Sequence, residues 1–73
     1  MNEIELQDAL KTLLEELSYM DADDFDRFDV PPELAEIERV STFEEAGVLT
    51  CNRGVVVQTK DGAELQVTIV QSR

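Results

Sequence analysis

Apolar residues recur at every second position on either side of a turn over residues 55–70. Val55 and Val57 lead to Thr59, Lys60-Asp61-Gly62 reverses the chain, and Leu65, Val67 and Ile69 return. The pattern predicts a β-hairpin with a three-residue loop and Gly62 in the left-handed region. That loop pairs Thr59 with Ala63, Val57 with Leu65 and Val55 with Val67, so the apolar side chains share one face. A two-residue Asp61-Gly62 loop would set Val56 against Val67 and Gln58 against Leu65, mixing the faces. One slip turns every side chain over, so the register that stacks apolar on apolar is expected. The opposite face then carries Val56, Gln58, Glu64, Gln66, Thr68 and Val70, with Val56 and Val70 left for a second interface.

A different period governs the N-terminal end. Leu6, Leu10, Leu13, Leu14 and Leu17 repeat at helical spacing, and most of the nearby acids fall off that stripe. Asn2 suits an N-cap, with Glu5 where a capping box wants it. The spacing predicts a helix over residues 3–18 that can run on to residue 20, with its leucines in the core. Residues 21–30 hold five aspartates, which prefer to bond their own backbone, so an acidic loop is expected over 21–31. Phe25 and Phe28 are placed to pin it. Pro31-Pro32 closes this stretch and opens a short helix over 32–38, with Leu34 and Ile37 facing inward.

Residues 39–71 read as a β-meander. In the favoured reading residues 39–44 form a strand that turns at Glu45-Ala46-Gly47 into a second strand from Val48, setting Phe43 opposite Leu49 and Ser41 opposite Cys51. The alternative is one helical turn capped at Ser41, with Glu44 three residues on and Gly47 ending it. Asn52-Arg53-Gly54 reads better as a glycine bulge in one long bent strand than as a full turn. The expected fold is a single domain over 1–73 of the α+β class: an N-terminal amphipathic helix and a short second helix packed on a three-stranded antiparallel β-meander. Its last strand is an exposed edge, a template for pairing with a second copy.

Charge changes this picture most. Seventeen acidic and six basic residues give a net charge of −11, and the excess is concentrated. Residues 1–46 carry fifteen acids and three bases, whereas 47–73 carry two acids and three bases. One acidic front end points to a basic protein surface as partner. Asp8, Glu15, Glu16, Asp21, Asp23, Asp24 and Asp26 are the candidate partner-binding residues. Spaced along a helix and loop, they can imitate a row of phosphates and fill a groove meant for nucleic acid. In charge and size the chain resembles small acidic proteins of phage and mobile elements that block nucleases, a likeness of composition without a motif. Nucleic acid itself is not an expected ligand, because the field has the wrong sign. The competing reading is a small structural or regulatory domain, homodimeric through the edge strand or leftover leucine surface, whose acids only keep it soluble. Arg27 and Arg39 are expected to form local ion pairs among the acids.

Catalytic chemistry finds few residues to work with. Histidine is absent, which removes the commonest general base and metal ligand. Testing Asp21 as the first position of a calcium-binding EF-hand loop fails, since Phe25, Asp26 and Pro32 fall where an oxygen ligand, glycine and glutamate are needed. No enzyme activity, metal or cofactor is expected. Cys51, the lone cysteine, alternates with Leu49 and reads as a small core residue in a reducing compartment. No stretch has the length of a membrane span and the start lacks a signal peptide's basic residues, so a cytoplasmic location is expected.

Overall fold

A computed structural model describes residues 1–73, the side chain of Ala22 excepted. Helix α1 spans Glu3–Ser18 and a short helix α2 spans Ala22–Arg27. A single 3₁₀ turn, Pro32–Glu36, leads into strand β1 (Ile37–Thr42), which runs directly into helix α3 (Phe43–Ala46). Strands β2 (Arg53–Thr59) and β3 (Glu64–Ile69) complete an antiparallel sheet of order β1-β2-β3. The fold is α+β, with the long helix on the sheet and, among the described residues, no helix long and apolar enough to cross a membrane.

The hairpin has the register expected of it. Val57 pairs with Leu65, Val55 with Val67, and the Thr59 amide donates to the Ala63 carbonyl at 3.0 Å. Gly62 takes φ +93°, the backbone state that the turn requires and that glycine adopts without strain. At the other end, the Asn2 side chain accepts from the Glu5 amide at 2.8 Å and starts α1.

β1 departs from simple alternation. Ile37 pairs with Thr59 but Arg39 pairs with Gln58, so Glu38 is an extra residue in the strand. This bulge lets Ile37 and Val40, three apart, face the same side. They form the core with Val55 and Val57, and Leu10, Leu14 and Leu34 pack against it.

Several expectations for the middle of the chain are corrected. Residues 21–31 are not simply a loop, because α2 forms there. Asp21, Asp23 and Asp24 sit at its positive N-terminal end and Arg27 in its last turn, an order that offsets aspartate's poor helix propensity. Asp29, at φ +55°, ends it, and the Val30 amide closes on the Phe25 carbonyl. Phe25 is buried but Phe28 is exposed. The helix expected over 32–38 stops at Glu36, since Ile37 already belongs to β1.

Both earlier readings of residues 39–47 were partly wrong. The strand stops at Thr42, and the helical turn begins one residue later than the Ser41 cap proposed for it. Thr42 and Glu45 form the capping box, with Glu45 amide to Thr42 Oγ1 at 3.1 Å and Thr42 amide to Glu45 Oε1 at 2.9 Å. Gly47 ends the turn at φ +75°. Residues 48–52 are therefore loop, the expected Phe43–Leu49 and Ser41–Cys51 pairs do not exist, and Ser41 pairs instead with Val56. Leu49 and Cys51 are exposed, because the alternation that suggested a core position lies outside any strand. Val56, expected on an open face, is buried in the middle strand between Ser41 and Gln66.

Candidate functional site

The candidate acids fall into two groups. Asp8 and Glu15, seven residues apart on α1, share an azimuth to within about 20°, and Glu16 lies about 100° further round. Asp8 and Glu16 lie on the arc turned away from the sheet, opposite Leu10 and Leu14, whereas Glu15 edges a cleft between α1 and β1. Asp8 and Glu16 are exposed, and Glu15 is half-buried. Asp21, Asp23, Asp24 and Asp26 crowd the second group around α2, where all but the half-buried Asp24 are exposed.

Charge spacing separates the two groups. Helix α1 holds five acids and one lysine over its 16 residues. At 1.5 Å per residue this is about one net charge per 6 Å, sparser than the ~3.4 Å per phosphate along one DNA strand. Counted the same way, Asp21, Asp23, Asp24 and Asp26 less Arg27 give three net charges over about 9 Å of helical rise, about one per 3 Å. Only α2 reaches the charge density of a phosphate backbone.

Few of these carboxylates meet a cation. Among the described residues the ion pairs all use Lys11, whose Nζ lies 2.9 Å from Glu45 Oε1 and 3.4 Å from Glu15 Oε1. The expected ion pairs of Arg27 and Arg39 are not among them. Arg27 instead sets its guanidinium 5.5 Å over the Phe28 ring, a cation–π contact that leaves the aspartates uncompensated.

The Lys11–Glu45 tie was not foreseen, and it joins residues 34 positions apart. Glu45 is held down to about 2, first by the Thr42 amide that it accepts from and then by the Lys11 ammonium. Lys11 is raised in turn, chiefly by Glu45 and then by Glu15. Across the molecule, the Thr59 hydroxyl and then the Ala63 amide hold the Asp61 carboxyl below its usual range.

A cleft of about 270 Å³ lies beside this tie, lined by Lys11, Glu15, Ser18, Arg39, Ser41 and Glu45. It mixes cations with carboxylates, and its Ser18 hydroxyl is already spent on the Glu15 carbonyl at 2.6 Å. Among the described residues no three of Cys, Asp or Glu gather as a metal site.

Gln7 is the other residue that was missed. It is only 7% exposed, and its Oε1 accepts from the Gly54 amide at 2.9 Å. β1 turns into α3 after Thr42, so Gly54 has no strand partner on that side and the glutamine takes its place. A signal existed: Gln7 stands seven residues before Leu14, on the same azimuth of the stripe.

Comparisons with protein-family models, with curated proteins and with solved structures find no match.

Proposed function

We propose that this chain is a non-enzymatic, cytoplasmic binding protein whose acidic helical side engages a basic protein surface. In its strongest form it occupies the phosphate groove of a nucleic-acid-handling protein and inhibits it. The observation that carries this reading is α2. Four aspartates crowd one short helix and its N-cap at phosphate-like density, and the one nearby cation, Arg27, is turned onto Phe28. Surface acids that served only solubility have no reason to concentrate on so short a segment.

Affinity for such a partner falls steeply with ionic strength, because exposed charges are screened beyond about 8 Å at physiological salt. The test uses the wild type and a D23K/D24K variant as baits for capture from lysate at low and high salt. The reading expects a basic partner that elutes with salt, is displaced by duplex DNA or RNA, and is lost to D23K/D24K while that variant keeps its helical circular dichroism. A captured protein indifferent to both salt and charge reversal removes the proposal, as does the recovery of no basic partner.

A second reading, a small structural or regulatory domain with apolar contacts, is favoured by a different surface. Leu65 and Val67 share the core face of the sheet yet stand 57% and 42% exposed.

A further inference from the structure

The surface poorest in charge lies along β3. This strand ends the sheet, so one side of its backbone has no partner. The Thr59 amide bonds the Ala63 carbonyl. Antiparallel pairing alternates from there, so residues 65, 67 and 69 turn their amides and carbonyls toward β2. Residues 64, 66 and 68 turn theirs outward. Leu65 and Val67 meanwhile point to the side of the sheet that carries α1.

α1 packs mainly on β1 and β2 and meets β3 only at its margin, which leaves Leu65 and Val67 largely exposed. Its Lys11, Glu15 and Ser18 border residues 38–41 of β1 in the cleft described above. Leu6 and Leu13 lie about 140–160° around the helix from Lys11, on the flank toward β3, and are 42% and 57% exposed. An apolar strip thus runs from Leu6 and Leu13 on the helix to Leu65 and Val67 on the edge strand.

We infer that a second copy of this chain pairs with this edge, antiparallel about a two-fold axis at Val67. The two sheets become one of six strands, with the two α1 helices on the same side and flanking the seam. Self-complementarity carries the choice of occupant. In this register Val67 meets Val67, Leu65 meets Ile69, Gln66 meets Thr68 and Glu64 meets Val70 of the second copy. Apolar side chains therefore stack on the helix side and polar ones on the other. The outward amides and carbonyls of Gln66 and Thr68 fall where they exchange hydrogen bonds.

Charge points the same way. The only ionisable side chain in β3 is Glu64, which lands opposite Val70 rather than against its own copy. On α1, Asp8 and Glu15 lie about 140–180° round the helix from Leu6 and Leu13, away from the seam, while Glu5 and Glu16 lie about 60–100° from them, toward solvent. Two bodies that each carry −11 can therefore pair along β3 itself without setting acid against acid. A basic partner finds no charge to hold here and belongs on α2 instead. The seam is one six-residue strand with its flanking leucines, at the small end of specific interfaces, so the dimer is concentration-dependent.

The test is the solution mass by analytical ultracentrifugation from about 5 to 500 µM, a range that brackets weak association. Wild type is expected to pass from monomer to dimer. Val67→Lys sets two ammonium groups opposite each other on the axis and raises the dissociation constant at least about tenfold. Thr68→Pro removes only an amide turned away from β2, which an edge strand tolerates, and has the same effect; it decides the matter should V67K not fold. Added salt strengthens the dimer by screening the repulsion between copies, the reverse of its effect on an acidic-face complex. The two proposals therefore fail separately. A wild type that stays monomeric across the range overturns the inference and leaves the edge to a strand from another protein. A dimer that survives both substitutions overturns it as well.

Discussion

Replacing Gln7 by methionine tests whether one glutamine replaces a missing strand. Methionine keeps the length and most of the volume of the side chain but offers no strong acceptor. The Gly54 amide, in a buried hydrogen bond at 2.9 Å, then loses its partner where water is excluded. Leaving such a donor unsatisfied costs about 1–3 kcal/mol. A core of this size supplies only ~3–5 kcal/mol in all, so the change removes a large share of the stability. At about 4–8 °C per kcal/mol for a domain of this length, the melting temperature falls by roughly 4–24 °C. The second hydrogen bond of Gln7, from Nε2 to Asp8 Oδ1 at 3.2 Å, is near the surface and contributes little, so Asp8→Asn serves as a control with a shift near zero. Thermal melts followed by circular dichroism give the magnitude. Amide hydrogen exchange gives the location, with Gly54 losing protection in Gln7→Met ahead of Val55 and Val57. If Gly54 stays protected and the melt is unchanged, the glutamine is not what closes the sheet there.

The other predictions concern the tie at α3, the glycine beneath it and the overall charge. Glu45 drops from 4.5 to about 2 on folding, so its contribution is complete above about pH 4.5 and is lost as pH falls toward 2. The gap in melting temperature between wild type and Glu45→Gln should narrow over that window and stay constant from pH 5 to 8. Lys11 is raised above 10.5, so its part persists below that pH and disappears only as pH climbs through its folded value, which alkaline melts of Lys11→Met check. A Cβ at Gly54 would stand 2.2 Å from the Val67 carbonyl oxygen and 2.6 Å from Phe43 Cζ. Backbone cannot rotate aside, so Gly54→Ala should cost about 1–3 kcal/mol in urea unfolding, and an unchanged midpoint would show that the strands part easily there. Added salt should raise the melting temperature by screening the uncompensated acids, whereas a flat response would mean that they are already well dispersed.

Local signals made α1 and the hairpin legible. For α1, the Asn2 cap and the leucine spacing agreed; for the hairpin, loop length and facing agreed. Where the outcome depended on distant residues, the sequence pattern misled. Alternation suggested that Leu49 and Cys51 continue a strand, but the strand is cut short at Thr42. The capping box there is strong, and the Phe43 ring fills the space beside Gly54. Ile37 and Val40 broke the period-two rule because Glu38 bulges. For α2, propensity argued against a helix, while the order of charges along it and the burial of Phe25 argued for one. The crowding of aspartates at 21–26 is plain in the sequence itself; only the fold shows that a helix rather than a loop carries it.

One dimension accounts for the apolar strip. A helix with its side chains is about 10 Å across, and neighbouring strands lie about 4.8 Å apart, so a single helix roofs two strands fully and a third only at its margin. α1 is tied to the β1 side through Lys11 and Glu45, which commits its cover to β1 and β2. β3 is then covered only at its margin, where Ile69 is half-buried, and Leu65, Val67 and the leucines on the near flank of α1 stay exposed. Of the carboxylates of α1, Asp8 and Glu15 lie on the far side of the helix from that strip. Helix placement thus separates an acidic surface from an apolar seam on a body too small to separate them by distance alone. Ionic strength should act on the two with opposite sign. In one salt titration at fixed protein concentration, release of a basic partner and growth of the dimer should rise together. Two responses moving in the same direction would mean that both events share a single surface.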